Sequence, residues 1–168
     1  MNLSALKSPP FRSYVVSLHL ALNGFWAQRV IIGWLAWEMT GLAGFVGLVA
    51  FLNFFPTLFI SPLFGVFADR IDVRKGSILS YALAGILSAL FAGLCIFGSP
   101  TPVLLALFSF VTGVISSANH PMRMSLTPRL APADDLPSVV AITSLNFNMS
   151  RLTGPAIGGI LIQTIGAP

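Results

Sequence analysis

Five apolar runs separated by turns of a few residues constrain this chain more than anything else in it. They extend over about 14–37, 45–68, 76–97, 102–119 and 136–165. A helix needs roughly 20 apolar residues to cross about 30 Å of hydrocarbon, so each run is a candidate span. Strands do not fit. The alternation of apolar and polar residues that marks a membrane barrel is absent, and an open sheet leaves backbone groups without partners in lipid. The expected fold class is all-α: a polytopic membrane protein of about five transmembrane helices, with short loops making successive helices antiparallel neighbours.

Charge placement orients the spans. Lys7 and Arg12 precede the first run, Arg70, Arg74 and Lys75 separate the second from the third, and Arg123 and Arg129 separate the fourth from the fifth. The segments around 38–44 and 98–101 contain no Lys or Arg. Basic residues are retained on the cytoplasmic side, which places the N-terminus in the cytoplasm and makes the lipid bilayer the first partner. The first run is longer than the apolar core of a signal peptide and contains Arg29, so it reads as a retained span. Asp134 or Asp135 is placed to cap the fifth helix, with Pro137 in its first turn.

Composition excludes several functions. Only 8% of residues are charged, against about 25% in soluble proteins. The net charge of +4 does not mark a nucleic-acid binder. Seven of the nine bases sit outside the runs, where anionic lipid attracts them, and no basic helix face is interleaved with aromatics. Cys95 is the single cysteine, so there is no internal disulfide and no C-x-x-C site. No H-E-x-x-H, G-x-S-x-G or phosphate-cradling loop is present. The chain is not expected to be an enzyme or to hold a cofactor or metal.

Polar residues inside the runs are the functional candidates. Arg151 lies about halfway along the fifth run, where an Arg costs roughly 2.5 to 3.5 kcal/mol to insert. With Ser144 and Asn148 it forms one stripe, and it is the strongest candidate for substrate or coupling chemistry; a structural pairing is the alternative. In the first run Ser13, Ser17, Gly24 and Gln28 share one side. Arg29 stands about 100° beyond Gln28, beside Leu22, Gly33 and Ala36. Gln28 is therefore the better cavity candidate, with Arg29 kept beside it. His19 and Asn23, four residues apart, read as a hydrogen-bonded pair on a further strip. The second run carries Asn53, Thr57, Ser61, Gly65 and Asp69 at four-residue spacing, a stripe of small and polar side chains that admits a close helix. That helix is either outside the chain or one of its own. Pro56 and Pro62 are expected to bend this span.

Two of these features carry a resemblance. Gly65-x-x-x-Asp69-Arg70, followed by Arg74 and Lys75 between the second and third spans, resembles the signature loop of the major facilitator superfamily. The resemblance implies a cytoplasmic gate latch of Gly65, Asp69, Arg70 and Arg74, with the Asp set against basic loop residues and a helix N-terminus in the other half of the transporter. Asp72 and Val73 depart from the pattern, where many members carry a glycine and a base. Ser150-Arg151-Leu152-Thr153-Gly154-Pro155-Ala156-Ile157-Gly158-Gly159 resembles the fifth-helix motif of facilitator antiporters and exporters. It implies a helix-packing motif of Ser150, Gly154, Pro155, Gly158 and Gly159. The fourth span has Ser109, Gly113, Ser116 and His120 on one side, with Ser109 where proton-coupled facilitators often carry Arg.

The strings at 34–41, 134–137 and 148–155 are similar to a facilitator branch that includes enterobactin exporters and macrolide-efflux proteins. That likeness implies that residues 1–168 are an incomplete N-terminal half of a secondary active exporter of small molecules, of drug or siderophore type, in a bacterial inner membrane. Its partners would be the substrate and the missing C-terminal half. The second and fifth spans would face that half, the first and fourth would line the path, and the third, with Ala84, Ile86, Leu90 and Phe91, would face lipid. The alternative is a complete five-span protein with a structural or assembly role.

Overall fold

The computed structural model describes residues 3–68, 72–98 and 100–165, with the side-chain surroundings of 64–68 and 165 left aside. Asp69 and Arg70 of the expected latch, and the surroundings of Gly65, lie outside the described residues. The described chain forms five helices: α1 (Pro9–Thr40), α2 (Ala43–Ala68), α3 (Val73–Phe97), α4 (Pro102–Leu126) and α5 (Leu136–Ile165). Short 3-10 turns occupy Ser4–Lys7, Thr127–Leu130 and Ala133–Asp135, and no strand occurs among the described residues. By length and composition α1, α2, α3 and α4 can each cross a membrane. The 30-residue α5 has the length but is more polar, with Ser144, Asn146, Asn148, Ser150, Arg151 and Thr153 through its middle.

The helices overrun the apolar runs at their ends, because a helix stops where its backbone is capped and not where hydrocarbon stops. α1 starts at Pro9, with prolines in its first turn where a missing N–H costs nothing. It ends at Gly41, whose φ of 62° suits glycine and lets its N–H reach the Trp37 carbonyl at 2.7 Å. α3 begins at Val73, three residues earlier than expected. Asp72 caps it, its carboxylate accepting from the N–H groups of Arg74 at 3.0 Å and Lys75 at 3.2 Å. Both cations thus belong to the helix and not to a loop. α4 continues through Pro121 to Leu126, past the expected end at Asn119, so Arg123 sits in its last turn. Asp135 directly precedes α5 and accepts a hydrogen bond from the Ser4 hydroxyl.

Two helix pairs make the closest contacts. α2 meets α4 where a Cβ on Gly113 would lie 2.5 Å from the Asn53 carbonyl oxygen. α1 meets α5 where a Cβ on Gly154 would lie 2.5 Å from Trp26 Cβ, and one on Gly158 would lie 2.9 Å from the Ala27 oxygen. Such approach is how membrane helices gain dispersion contact without a hydrophobic drive between them. A core of Ile32, Leu35, Ala36, Val49, Leu105 and Phe108 joins α1, α2 and α4, and α3 leans on it through Phe91, stacked on Phe108 at 4.2 Å. Much large apolar surface stays open, with Leu58 71%, Leu90 67% and Phe97 90% exposed. So continuous an apolar exterior suits lipid.

The packing decides one open alternative, at Asn53, and corrects one expectation, on α3. Asn53, at the start of the small-residue stripe on α2, packs inside the chain against α4 and donates to the Ser109 carbonyl at 3.3 Å. Ser109 is itself fully buried and bonded to the Leu105 carbonyl, so it faces no cavity. On α3, Ile86 and Leu90 are exposed, but Phe91 is part of the core margin and Ala84 lines an internal cleft.

Candidate functional site

Trp26, near the middle of α1, organises the strongest cluster of charge and aromatic surface. Its neighbour Phe25 meets it edge-on at 5.5 Å, and Phe147 of α5 does so at 5.9 Å. The Arg29 guanidinium carbon lies 5.4 Å from the Phe25 and Trp26 rings and 3.9 Å from that of Phe54 on α2. Arg151 of α5 lies over Trp26 at 5.8 Å, and Arg123 of α4 over Phe147 at 5.5 Å. Local spacing explains much of this. Phe25 and Trp26 precede Arg29 by four and three residues, the separations that share a helix face. Gly154 admits α5 against Trp26, which carries Arg151 in.

A guanidinium over an aromatic face gains about 0.5–1 kcal/mol when exposed and about 2 or more when desolvated. Three rings around Arg29 therefore offset a burden of a few kcal/mol. The indole Nε1 of Trp26 is buried and has no hydrogen-bond acceptor among the described residues. The site is thus rich in donors. Acidic residues keep away from it in sequence: Glu38 is in the last turn of α1, Asp72 caps α3, Asp134 and Asp135 precede α5, and Asp69 is the remaining one. This arrangement can hold an anion or an electron-rich ring.

Arg29 and Arg151, far apart in sequence, are therefore brought together. Gln28 is not with them. It donates to the Ser88 hydroxyl at 2.8 Å and lines a cleft of about 500 Å3 among α1, α3 and α4, whose surface is mostly apolar. Trp26 stands about 160° around α1 from Gln28, so the two sites occupy opposite faces of one helix. Ser144, Asn148 and Arg151 share the exposed side of α5, and Asn148 donates back to the Ser144 carbonyl at 2.9 Å. Ser150, Gly154 and Gly158 are buried against α1, and Pro155 is half-buried. Gly159, one 100° step on, has nothing within 4 Å of where its Cβ would stand and is not part of the contact. Arg74 is exposed in the first turn of α3. No group of His, Cys, Asp and Glu among the described residues could hold a metal.

Five participants escaped the sequence reading: Phe25, Trp26, Phe54, Phe147 and Arg123. The first two were visible in principle from their spacing to Arg29. The other three depend on which helices meet.

The family model described as transmembrane secretion effector matches residues 1–168. The chain is 25% identical to the staphyloferrin A transporter of Staphylococcus aureus, over 90% of this chain and 38% of that protein. It is 31% identical to the enterobactin exporter EntS of Escherichia coli O127:H6 and 30% identical to that of Citrobacter koseri, in both cases over 99% of this chain and 40% of the relative. The chain thus spans about two fifths of the length of the curated relatives it matches. No solved structure matches it.

Proposed function

The chain belongs to the transmembrane secretion effector family of major facilitator transporters, and we propose that it forms the first helices of a secondary active exporter of small molecules. The relatives' names point to siderophore transport, so a siderophore or a drug-like compound is the proposed cargo. The single observation that carries this reading is the pair of guanidiniums, Arg29 and Arg151, sharing the Trp26 ring in the middle of two helices. Intramembrane charge without a nearby carboxylate marks a substrate or ion path by default.

In this reading α1 and α5 present Trp26, Arg29, Arg151, Asn148 and Ser144 to a second half of the transporter, supplied by sequence that the longer relatives have beyond the matched region. The two halves rock about a midplane site. Gly65, Asp69, Arg70 and Arg74 form the cytoplasmic latch, the N-terminus is cytoplasmic, and the membrane is a bacterial inner membrane. The mostly apolar cleft holding Gln28 serves helix packing in this scheme and not cargo.

The test uses a deletion strain complemented with the full-length gene and challenged with a panel of antibiotics and siderophore precursors. Arg151→Ala and Arg29→Ala are each expected to reduce export at least tenfold with the protein still in the membrane. Export unchanged in both removes the pair from the path. A stop codon directly after Pro168 in the genomic DNA favours instead a short five-span protein with an assembly role.

A further inference from the structure

α1 and α5 run parallel. Gly154 meets Trp26 and Gly158 meets Ala27, at positions about equally far from the starts of the two helices at Pro9 and Leu136. A short turn joins antiparallel helices and not parallel ones, and here three helices intervene. No loop ties the ends of this pair. The segment before α1 does so instead. A 3-10 turn as short as Ser4–Lys7 has little stability of its own, and chain termini are loose unless something holds them. Yet Ala5 in that turn is fully buried, and so is Phe11 in the first turn of α1. Both pack with Val139 and Ile142 of α5, and Leu130 and Ala131 of the α4–α5 connection close over them.

Hydrogen bonds stitch the same junction. The Ser4 hydroxyl donates to the Asp135 carboxylate. The Ala5 N–H donates to the Ser138 hydroxyl at 3.2 Å, and Ser138 is 2% exposed. The Ser8 hydroxyl donates to the Leu130 carbonyl at 2.8 Å. Further along α1, the Tyr14 and Thr127 hydroxyls meet at 3.1 Å. Ser8 is the telling residue. It stands at the N-cap of α1, where a serine oxygen ordinarily accepts from the N–H groups of its own first turn. Here it makes no such bond, and its hydroxyl is spent across the junction.

We propose that residues 4–11 are a clasp that fastens the start of α1 to the start of α5, so that the two helices move as one body. Two helices touching at one place can pivot about it. The glycine contact and the clasp are two places, since Ser138 and Gly154 stand about 24 Å apart along α5 at 1.5 Å per residue. Fastened at both, the pair cannot splay. Arg29 and Arg151, one from each helix, then keep their places beside Trp26 whatever the rest of the protein does. The clasp also takes in the α4–α5 connection through Leu130 and Thr127, so the entry to α5 is held on both sides.

Hydrogen exchange of the full-length gene product in lipid nanodiscs reads the clasp directly. Residues 4–8 should exchange at least about tenfold more slowly than a free chain. Deleting residues 2–7 should speed exchange at 136–142 by at least about tenfold and leave 105–113 of α4 unchanged. A free-chain rate at 4–8 overturns the proposal, as does exchange in α5 that the deletion leaves unaltered or raises no more than in α4. If the deleted protein does not fold, Ser4→Ala with Ser8→Ala removes two stitches and no apolar surface, and the same segment of α5 should respond. The one-body claim rests on the exporter reading and has its own test. Ser4→Cys and Asp135→Cys, in a Cys95→Ser background, are joined by a short reducible linker. Export as fast linked as unlinked is the expected result. Export stopped by the link and restored by reduction means that the clasp opens in each cycle, and overturns the claim. Absence of export by the unaltered protein is a failure of the exporter reading, and the exchange rates then decide the clasp alone.

Discussion

Along α2 and α4 the chain meets itself at Gly113, against the bare backbone of Asn53; along α1 and α5 it meets itself at Gly154 and Gly158, against Trp26 and Ala27. Both contacts use a missing Cβ to bring helices together in lipid, yet they are filled differently. The first is finished by apolar side chains such as Val49, Leu105 and Phe108 and one long amide bond, Asn53 to the Ser109 carbonyl at 3.3 Å. The second is finished by polar side chains: His19 meets Asn146 at 2.6 Å, Asn146 donates to the Val15 carbonyl at 3.1 Å, and Thr153 is bonded to Asn23 at 2.6 Å. An apolar contact is held by shape and a polar one by matching donors to acceptors, so the second pair specifies its partner more narrowly than the first.

The largest expected effect tests the shared half of the comparison. Gly113→Ala places a methyl 2.5 Å from the Asn53 oxygen and 3.0 Å from its carbonyl carbon, backbone atoms that cannot swing aside. Overpacking of this kind costs about 1–3 kcal/mol, read as a loss of thermal stability in detergent. Gly154→Ala should cost a similar amount against Trp26 Cβ. A neutral result at either site means that the close approach is not what holds that pair.

The next effect separates the two contacts. Interhelical hydrogen bonds in membranes average about 0.6 kcal/mol and reach about 1.7. Asn146 bonds to both His19 and the Val15 carbonyl, so Asn146→Leu should cost about 1–2 kcal/mol. Asn53→Leu removes one long bond and should cost no more than about 0.6 kcal/mol. Equal losses would erase the distinction drawn between the pairs.

The comparison also marks what the sequence made legible. Hydrophobic run length gave all five helices, and the bounds of α5 came out unchanged, with Asp135 directly before it and Pro137 in its first turn. The starts of α1 and α3 and the end of α4 were missed, since capping by Asp72 and continuation through Pro121 are local backbone chemistry that hydropathy does not register. Ser150, Gly154 and Gly158 were readable as a packing face from spacing alone. What they pack against was not. Gln28 lines a cleft, as the wheel of α1 suggests, but the rings around Arg29 were hidden, because the wheel of one helix does not say which neighbour carries Phe54 or Arg151. His19 looked like a simple pair with Asn23 for the same reason: Asn146 and Thr153 join it only once α5 is laid alongside.

The smallest expected effect is the control that gives the others meaning. Gly158 and Gly159 are adjacent, and the sequence motif contains both. One step of 100° separates them on the helix. A Cβ at Gly158 would lie 2.9 Å from the Ala27 oxygen and 3.2 Å from its Cα, whereas one at Gly159 meets nothing within 4 Å. Gly158→Ala should therefore destabilise the α1–α5 pair, and Gly159→Ala should change the stability of the isolated chain by no more than about 0.5 kcal/mol. If Gly159→Ala is silent in this chain but impairs the export proposed for a protein of the relatives' length, its exposed position faces something outside residues 1–168. A loss of stability in the isolated chain itself would place Gly159 back in the α1–α5 contact and overturn the register described for α5.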